Sequence, residues 1–206
     1  MNEKLWNSDI SEKTVFKKPS DSPWNDKDLW KIKSENLTTP SPEKIYYLRS
    51  PDTNGRWTGE KGDSVWIPDR DYRPEYKSKY SRENPDNLTW GEILDKYGIE
   101  GIEFKDGYPD FGPISKIDVE IDGFSSDRLK NFAKADEKTA EQWTKEGKDG
   151  KVWTAEDVKN WRKENNYTWH ECEDCKTMQL VPTEVHNNIP HSGGISEIKK
   201  QENSTN

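Results

Sequence analysis

The chain has 206 residues, of which 29% are hydrophobic and 35% are charged, a balance too polar for a large aliphatic core. Ten Trp, eight Tyr and five Phe supply enough apolar surface for a small aromatic core, so the composition excludes wholesale disorder. The net charge is -8, and a negative surface repels phosphates, which excludes nucleic-acid binding by overall charge alone.

The N-terminal region carries few signals of regular structure. Residues 1–44 are polar and aperiodic, so we interpret them as an irregular arm, and they lack the pattern of a secretory signal peptide. The run IYYLR at 45–49 predicts a strand, and 50–68 predicts a hairpin or a pair of edge strands because turn residues alternate with β-formers. Residues 69–87 are typical of a polar loop. No window approaches the roughly 20 apolar residues of a membrane span, so we expect no membrane insertion.

Regular elements are predicted from Thr89 onward. Thr89 and Glu92 form a capping box for a short helix, which Gly98 ends. The next segments predict a strand, a Gly/Pro loop and a second strand, in the order GIEF, DGYPDFGP and IDVEI. Asp106 and Asp110 in that loop are catalytic candidates, although turn residues packed around an aromatic ring are the commoner explanation.

Two helices follow. Ser125 or Ser126 is expected to cap the first, whose apolar stripe is predicted to comprise Leu129, Phe132, Ala133, Ala140 and Trp143. Thr154 and Asp157 mark the start of the second.

All three histidines and both cysteines of the chain fall within residues 169–194. The segment reads as strand, turn, strand and short helix, with the helix predicted over 183–189. His170 ends the first strand, His186 lies on the helix, and His191 follows it. A neutral imidazole can ligate a divalent metal or accept a proton, so the cluster predicts metal-assisted hydrolysis.

The segment TWHECEDCKTMQLVPTEVHNNIPHSGG resembles the nuclease signature of the HNH/endonuclease VII superfamily, in the Trp-His-His branch of bacterial polymorphic toxins. The likeness extends upstream through GIEFKDGYPDFGP and NFAKAD, and covers roughly residues 45–200. It implies an α+β domain that ends in a treble-clef-like ββα-metal motif at 167–194. It further implies one divalent metal ion (Mg, Mn or Zn) and an endonuclease used against competitors.

The resemblance also implies partners and a location. The substrate is expected to be DNA, with RNA as the alternative, and a cognate immunity protein is the expected protein partner. The toxin would be made in the bacterial cytoplasm and then secreted or delivered into a target cell. We expect three regions: the arm at 1–44, the nuclease domain at 45–200, and a disordered tail at 201–206.

The resemblance assigns roles to four residues. His186 and His191 match the metal-binding histidines, and His170 matches the first His of the motif. Glu171 stands where the branch has a second His. Either His170 is the base and Glu171 an auxiliary ligand or orienting group, or His170 joins the metal and Glu171 takes the proton. The first alternative is preferred, because an ordinary carboxylate with a pKa of about 4.3 is a weak base near neutral pH.

A different class of function uses overlapping residues. Cys172 and Cys175, followed by His186 and His191, have nearly the spacing of a structural Cys2His2 zinc site. The chain would then be a non-catalytic protein- or nucleic-acid-binding module. Three basic residues could contact phosphate in either case, although each is more typical of a solvated surface: Arg49, Arg56 and Lys61.

Overall fold

The computed structural model describes residues 49–75 and 83–204, all of which belong to one unit, Pro40–Asn206. The predicted arm at 1–44 and most of the predicted strand at 45–49 lie outside the described residues. The seven described strands are β1 (Gly55–Trp57), β2 (Val65–Pro68), β3 (Ile102–Lys105), β4 (Tyr108–Asp110), β5 (Asp118–Glu120), β6 (Tyr167–Glu171) and β7 (Thr177–Pro182). The five described α-helices are α1 (Trp90–Tyr97), α2 (Arg128–Lys145), α3 (Ala155–Glu164), α4 (Thr183–His186) and α5 (Gly194–Ser204). The protein is therefore α+β, as the sequence predicts.

The strands form two antiparallel sheets, with the orders β1-β2-β3-β4 and β5-β7-β6. The predicted hairpin over 50–68 is confirmed as β1 and β2. The prediction of a plain loop at DGYPDFGP is wrong in part, because Tyr108–Asp110 is a strand paired with β3. The reason is a tight turn in which Asp106 and Gly107 both have positive φ, at 52° and 84°.

Two capping boxes found in the sequence begin α1 and α3 as predicted. The hydroxyl of Thr89 accepts a hydrogen bond from Glu92 N at 3.2 Å, and Thr89 N donates to the Glu92 carboxylate at 2.7 Å. Gly98 ends α1 in the left-handed conformation, with φ of 65°. Thr154 and Asp157 make the same reciprocal pair at the start of α3.

The predicted start and apolar face of α2 need correction. Its N-cap is Asp127 rather than a serine, and the Asp127 side chain accepts from two backbone N–H groups of the first turn. Leu129 is 79% exposed and Ala133 is also exposed, so neither belongs to the core. The buried face consists of Asn131, Ala135, Asp136, Thr139, Ala140 and Trp143. Asn131 and Asp136 can occupy that face because α3 and β6 supply partners for their side chains.

The apolar residues form two clusters, one on each side of the β6–β7 hairpin. The first packs the four-stranded sheet against α1 and α4, and includes Trp66, Ile93, Phe104, Phe111, Val181 and Val185. The second packs α2 and α3 against the hairpin, and includes Trp143, Trp153, Val158, Trp169, Met178 and Leu180. Both faces of the hairpin are therefore covered, which fixes the side chains at its end.

The C-terminal helices also differ from the prediction. The helix expected over 183–189 is only four residues long, and Asn187 is its C-cap. The tail expected at 201–206 is helical through Ser204, since it forms the end of α5. This helix begins where Ser196 N and Glu197 N donate to Gly193 O. The last two residues lie outside the described part of the chain. The division into an arm, a domain and a tail stays a prediction.

Candidate functional site

The fold brings the three histidines together. His170 is at the end of β6, His186 at the end of α4, and His191 in the segment before α5. One ring nitrogen of each lies within 4.8 Å of the others, so the three could hold a metal ion. His170 is 2% exposed, and the other two are partly buried.

Hydrogen bonds orient two of the rings. Nδ1 of His186 donates to the side-chain oxygen of Asn187 at 2.8 Å, and Nδ1 of His191 donates to Ile189 O at 2.6 Å. Both acceptors lack a proton to give, which fixes the tautomer and leaves the lone pair on each Nε2. This is the usual support for an imidazole that binds a metal through its other nitrogen.

The spacing of the ring nitrogens fits a bound cation. His170 Nδ1 and His186 Nε2 lie 3.3 Å apart. Two nitrogens bound to one tetrahedral Zn²⁺ at roughly 2.0–2.1 Å are about 3.3 Å from each other. Burial lowers the pKa of His186 to about 3 and that of His191 to about 4, and burial with repulsion from these two rings also lowers the pKa of His170. The three imidazoles are therefore neutral near pH 7, the form that ligates transition metals.

A short helix could hold His186 only loosely, but α4 is anchored by its own buried carboxylate. Glu184 is 1% exposed, and its Oε1 accepts from Lys96 Nζ at 2.6 Å and from Tyr97 OH at 2.5 Å. Both donors lie at the end of α1. The contact ties α4 to the first core, so His186 has a fixed position.

Phe111 forms the apolar wall of the cluster. Its ring is fully buried and its centroid lies 4.9, 5.5 and 5.3 Å from those of His170, His186 and His191. Phe111 was not predicted from the sequence to belong to the site. The available signal was its position in GIEFKDGYPDFGP, the upstream segment that shares the nuclease resemblance.

Two glycines let the chain after α4 approach the end of β6. A Cβ on Gly193 would lie 2.5 Å from Glu171 O, and one on Gly194 would lie 2.5 Å from Cys172 O. Backbone atoms cannot yield as a flexible side chain can, so only glycine fits at either position. This close passage brings His191 beside the other two rings.

Glu171 lies on the opposite face of β6 from His170, because successive strand side chains alternate. It is 5% exposed and both of its oxygens are paired, Oε1 with Asn131 Nδ2 and Oε2 with Arg128 Nε, each at 2.8 Å. Burial raises the pKa of Glu171, against the opposing effect of these two donors.

A cavity of about 130 Å³ joins the two faces at the strand end. Its walls comprise the three histidines, Glu171, Trp169, Arg49, Arg128 and residues 193–196. Arg49 donates from Nη1 to Ser196 Oγ at 2.8 Å, so this predicted phosphate contact does lie at the site. Arg56 and Lys61 do not line the cavity, and Lys61 pairs with Asp52. Arg128 was not identified from the sequence, where it is one of many charged residues.

The cysteines and loop aspartates are not part of the cluster. Cys172 and Cys175 carry free thiols, and neither joins the described residues that could hold a metal. Burial raises the pKa of Cys172, which disfavours the thiolate that zinc requires. Asp110 accepts from Gly112 N at 2.8 Å in a turn, and neither it nor Asp106 lines the cavity. The Cys2His2 spacing in the sequence therefore does not correspond to four ligands that converge in the structure.

The comparison with protein families supports a nuclease. Residues 101–193, somewhat less than half of the chain, match the family described as the DNase/tRNase domain of colicin-like bacteriocin. The match spans all three histidines, Glu171 and Arg128, and it supports a nuclease toxin domain acting on nucleic acid. None of the curated proteins compared with the chain matches it. Within the described residues, no helix is both long and apolar enough to cross a bilayer.

Proposed function

We propose that this protein is a metal-dependent endonuclease of the HNH type that hydrolyses phosphodiester bonds, with DNA as the preferred substrate and RNA as the alternative. The observation that carries the proposal is the cluster of His170, His186 and His191 in one cavity with Glu171. The cluster lies inside the segment that matches the DNase/tRNase family.

His170, His186 and His191 would hold a single divalent metal ion. Three neutral imidazoles are donors that suit Zn²⁺ better than Mg²⁺, which prefers oxygen ligands. When bound, the ion supplies positive charge that stabilises the phosphate and the leaving oxygen. This assignment adopts the alternative in which His170 is a ligand, because its Nδ1 faces His186 Nε2 at 3.3 Å.

Glu171 then accepts the proton of the attacking water. Glu171 lines the same cavity as the imidazoles and belongs to the end of the same strand. Asn131 and Arg128 each occupy one lone pair of a carboxylate that has about four, so acceptor capacity remains. The two donors also fix the direction in which the carboxylate faces.

Arg49 and Arg128 give the cavity a local charge opposite to that of the whole chain. Both line it, while the net charge of the protein is -8. A substrate phosphate would therefore meet a favourable local charge against an unfavourable average field, and binding should weaken steeply with salt. As a colicin-like toxin, the protein would act in a target cell, and a cognate immunity protein would block it in the producer.

The test is cleavage of plasmid DNA and of tRNA by the purified full chain, with Zn²⁺, Mn²⁺ or Mg²⁺ and with or without a chelator. We expect metal-dependent cleavage that chelation abolishes. His186→Ala should lose both cleavage and Zn²⁺ binding by calorimetry, while Cys172→Ser, the matched control, should keep both. Cleavage that survives chelation would contradict the proposal. Loss of Zn²⁺ binding in the cysteine variant would instead favour the binding module.

A further inference from the structure

Arg128 is the one cavity residue whose side chain contacts Glu171 and also reaches solvent. It is the first residue of α2, and its Nε donates to Glu171 Oε2 at 2.8 Å. The Arg128 side chain is nevertheless 61% exposed, whereas that of Glu171 is 4% exposed. One end of the guanidinium is thus fixed on a buried carboxylate while the rest lies at the mouth of the cavity.

The donors of Arg128 are only partly used. A guanidinium has five N–H donors in a planar fork, and Nε carries one of them. Among residues 49–75 and 83–204, no hydrogen-bond partner is found for its Nη1 or Nη2. Arg162 shows the contrast, since its Nε and Nη2 both donate to Asp136, at 2.9 and 3.0 Å, and its side chain is only 12% exposed. Arg162 is a structural residue, and Arg128 has donors to spare.

We propose that Arg128 binds the substrate phosphate through its Nη groups while its Nε holds Glu171 in place. The inference rests on the proposed nuclease function and adds a substrate-binding residue to it. Guanidinium groups pair with phosphate oxygens through two parallel hydrogen bonds, which a lysine ammonium cannot reproduce. One side chain therefore links the position of the phosphate to the orientation of the proton acceptor.

The link predicts different kinetics for the two residues that hold Glu171. Asn131 contacts Glu171 but does not line the cavity, so Asn131→Ala should lower kcat and leave KM unchanged. Arg128→Ala should lower kcat by about 100-fold, a typical loss for one donor to developing charge, and should also raise KM. Arg128→Lys should recover much of KM through its charge but little of kcat.

Binding without turnover provides an independent measurement. We would titrate a DNA duplex into chelated protein at several salt concentrations and plot log Kd against log salt. Loss of one phosphate contact should reduce the slope by about one for Arg128→Ala, and Asn131→Ala should not change it. Tm should fall in both variants, because each leaves the buried Glu171 carboxylate without one of its two partners, and Zn²⁺ affinity, expected to match the wild type, reports that the site is still folded.

Equal kcat losses in the two variants, with KM and the salt slope unchanged in both, would restrict Arg128 to orienting Glu171 and overturn the inference. Failure of the wild-type protein to cleave or bind nucleic acid would instead overturn the proposed function, and this inference with it. The two failures are distinguishable because the first requires an active wild-type enzyme.

Discussion

On one face of β6, His170 lies among two other imidazoles and the ring of Phe111; on the other face, Trp169 and Glu171 meet the polar side of α2. Among the described residues, no carboxylate contacts the rings of the first face, which bond to neutral groups. On the second face both carboxylates are paired with cations: Glu171 with Arg128 and Asp136 with Arg162.

The difference separates a face suited to a metal ion from a face that carries the charged groups. Asp136 accepts from Arg162 and also from Trp169 Nε1, at 2.8 Å, so the strand is held in register by a network whose donors are matched. On the histidine face, His170 and His186 point nitrogens at each other at 3.3 Å, and Nε2 of His186 and of His191 keeps its lone pair because Nδ1 of each ring donates. The charged face fixes the strand, and the neutral face is suited to a cation.

The largest effects should come from substituting the adjacent residues on the two faces. His170→Ala should lose both Zn²⁺ binding and cleavage, because it removes a ligand. Glu171→Gln should keep Zn²⁺ binding and lose cleavage by roughly 10²- to 10⁴-fold, the usual contribution of a general base. Calorimetry and single-turnover rates measure the two effects separately.

A Glu171→Gln protein that cuts DNA at the wild-type rate would exclude Glu171 as the proton acceptor. Retention of Zn²⁺ affinity by His170→Ala would return His170 to the role preferred from the sequence, that of base.

The second-largest effect is expected on the charged face, where Asp136 is paired with Arg162. Asp136 is 2% exposed, so Asp136→Asn should leave Arg162 with an uncompensated charge and destabilise the fold by roughly 3 kcal/mol. Urea unfolding at neutral pH would measure the loss. The double variant Asp136→Asn, Arg162→Met removes both charges and should recover part of it. An unchanged urea midpoint in the single variant would show that the pair does not stabilise the strand.

The sequence predicted elements whose signals are local and failed where partners are distant. The capping boxes at Thr89 and Thr154 are complete within four residues, so both helices start where predicted. The buried face of α2 was misplaced because the burial of its polar members, Asn131 and Asp136, depends on partners 26 to 40 residues away, in addition to the nearby Ser125. Local hydrophobic periodicity contains no information about such pairing.

The site shows the same division. Grouping of the histidines in one short segment predicted their convergence, and their order along the chain placed them on a hairpin, a helix and the turn beyond. The role of His170, as base or as metal ligand, could not be predicted in this way, because it depends on which of its ring nitrogens faces His186. Phe111 packs against the histidine rings and Arg128 lines the cavity, each from another element, so only the tertiary fold reveals them.

The smallest effect should arise at the start of α3, the helix that carries Arg162. Thr154→Ala removes the N-cap hydroxyl and should cost about 1 kcal/mol at neutral pH, measured by urea unfolding. Zn²⁺ affinity and cleavage should not change, because Thr154 neither belongs to the histidine cluster nor lines the cavity. Reduced Zn²⁺ affinity in this variant would show that the two faces are not independent.

The stabilisation by this cap should depend on pH through the ionisation of Asp157. Hydrogen bonds from the Thr154 hydroxyl and from Lys151 lower the pKa of Asp157 to about 2, below the roughly 3.9 of an unfolded Asp. A carboxyl whose folded pKa is depressed stabilises the protein above the unfolded value, and the stabilisation is lost as the pH falls through the folded value. The stability difference between wild type and Thr154→Ala should therefore shrink from about pH 5 towards pH 2. Asp157→Asn cannot ionise, so in that background the effect of Thr154→Ala should not vary over this range; a variation that persists would have to come from another carboxyl.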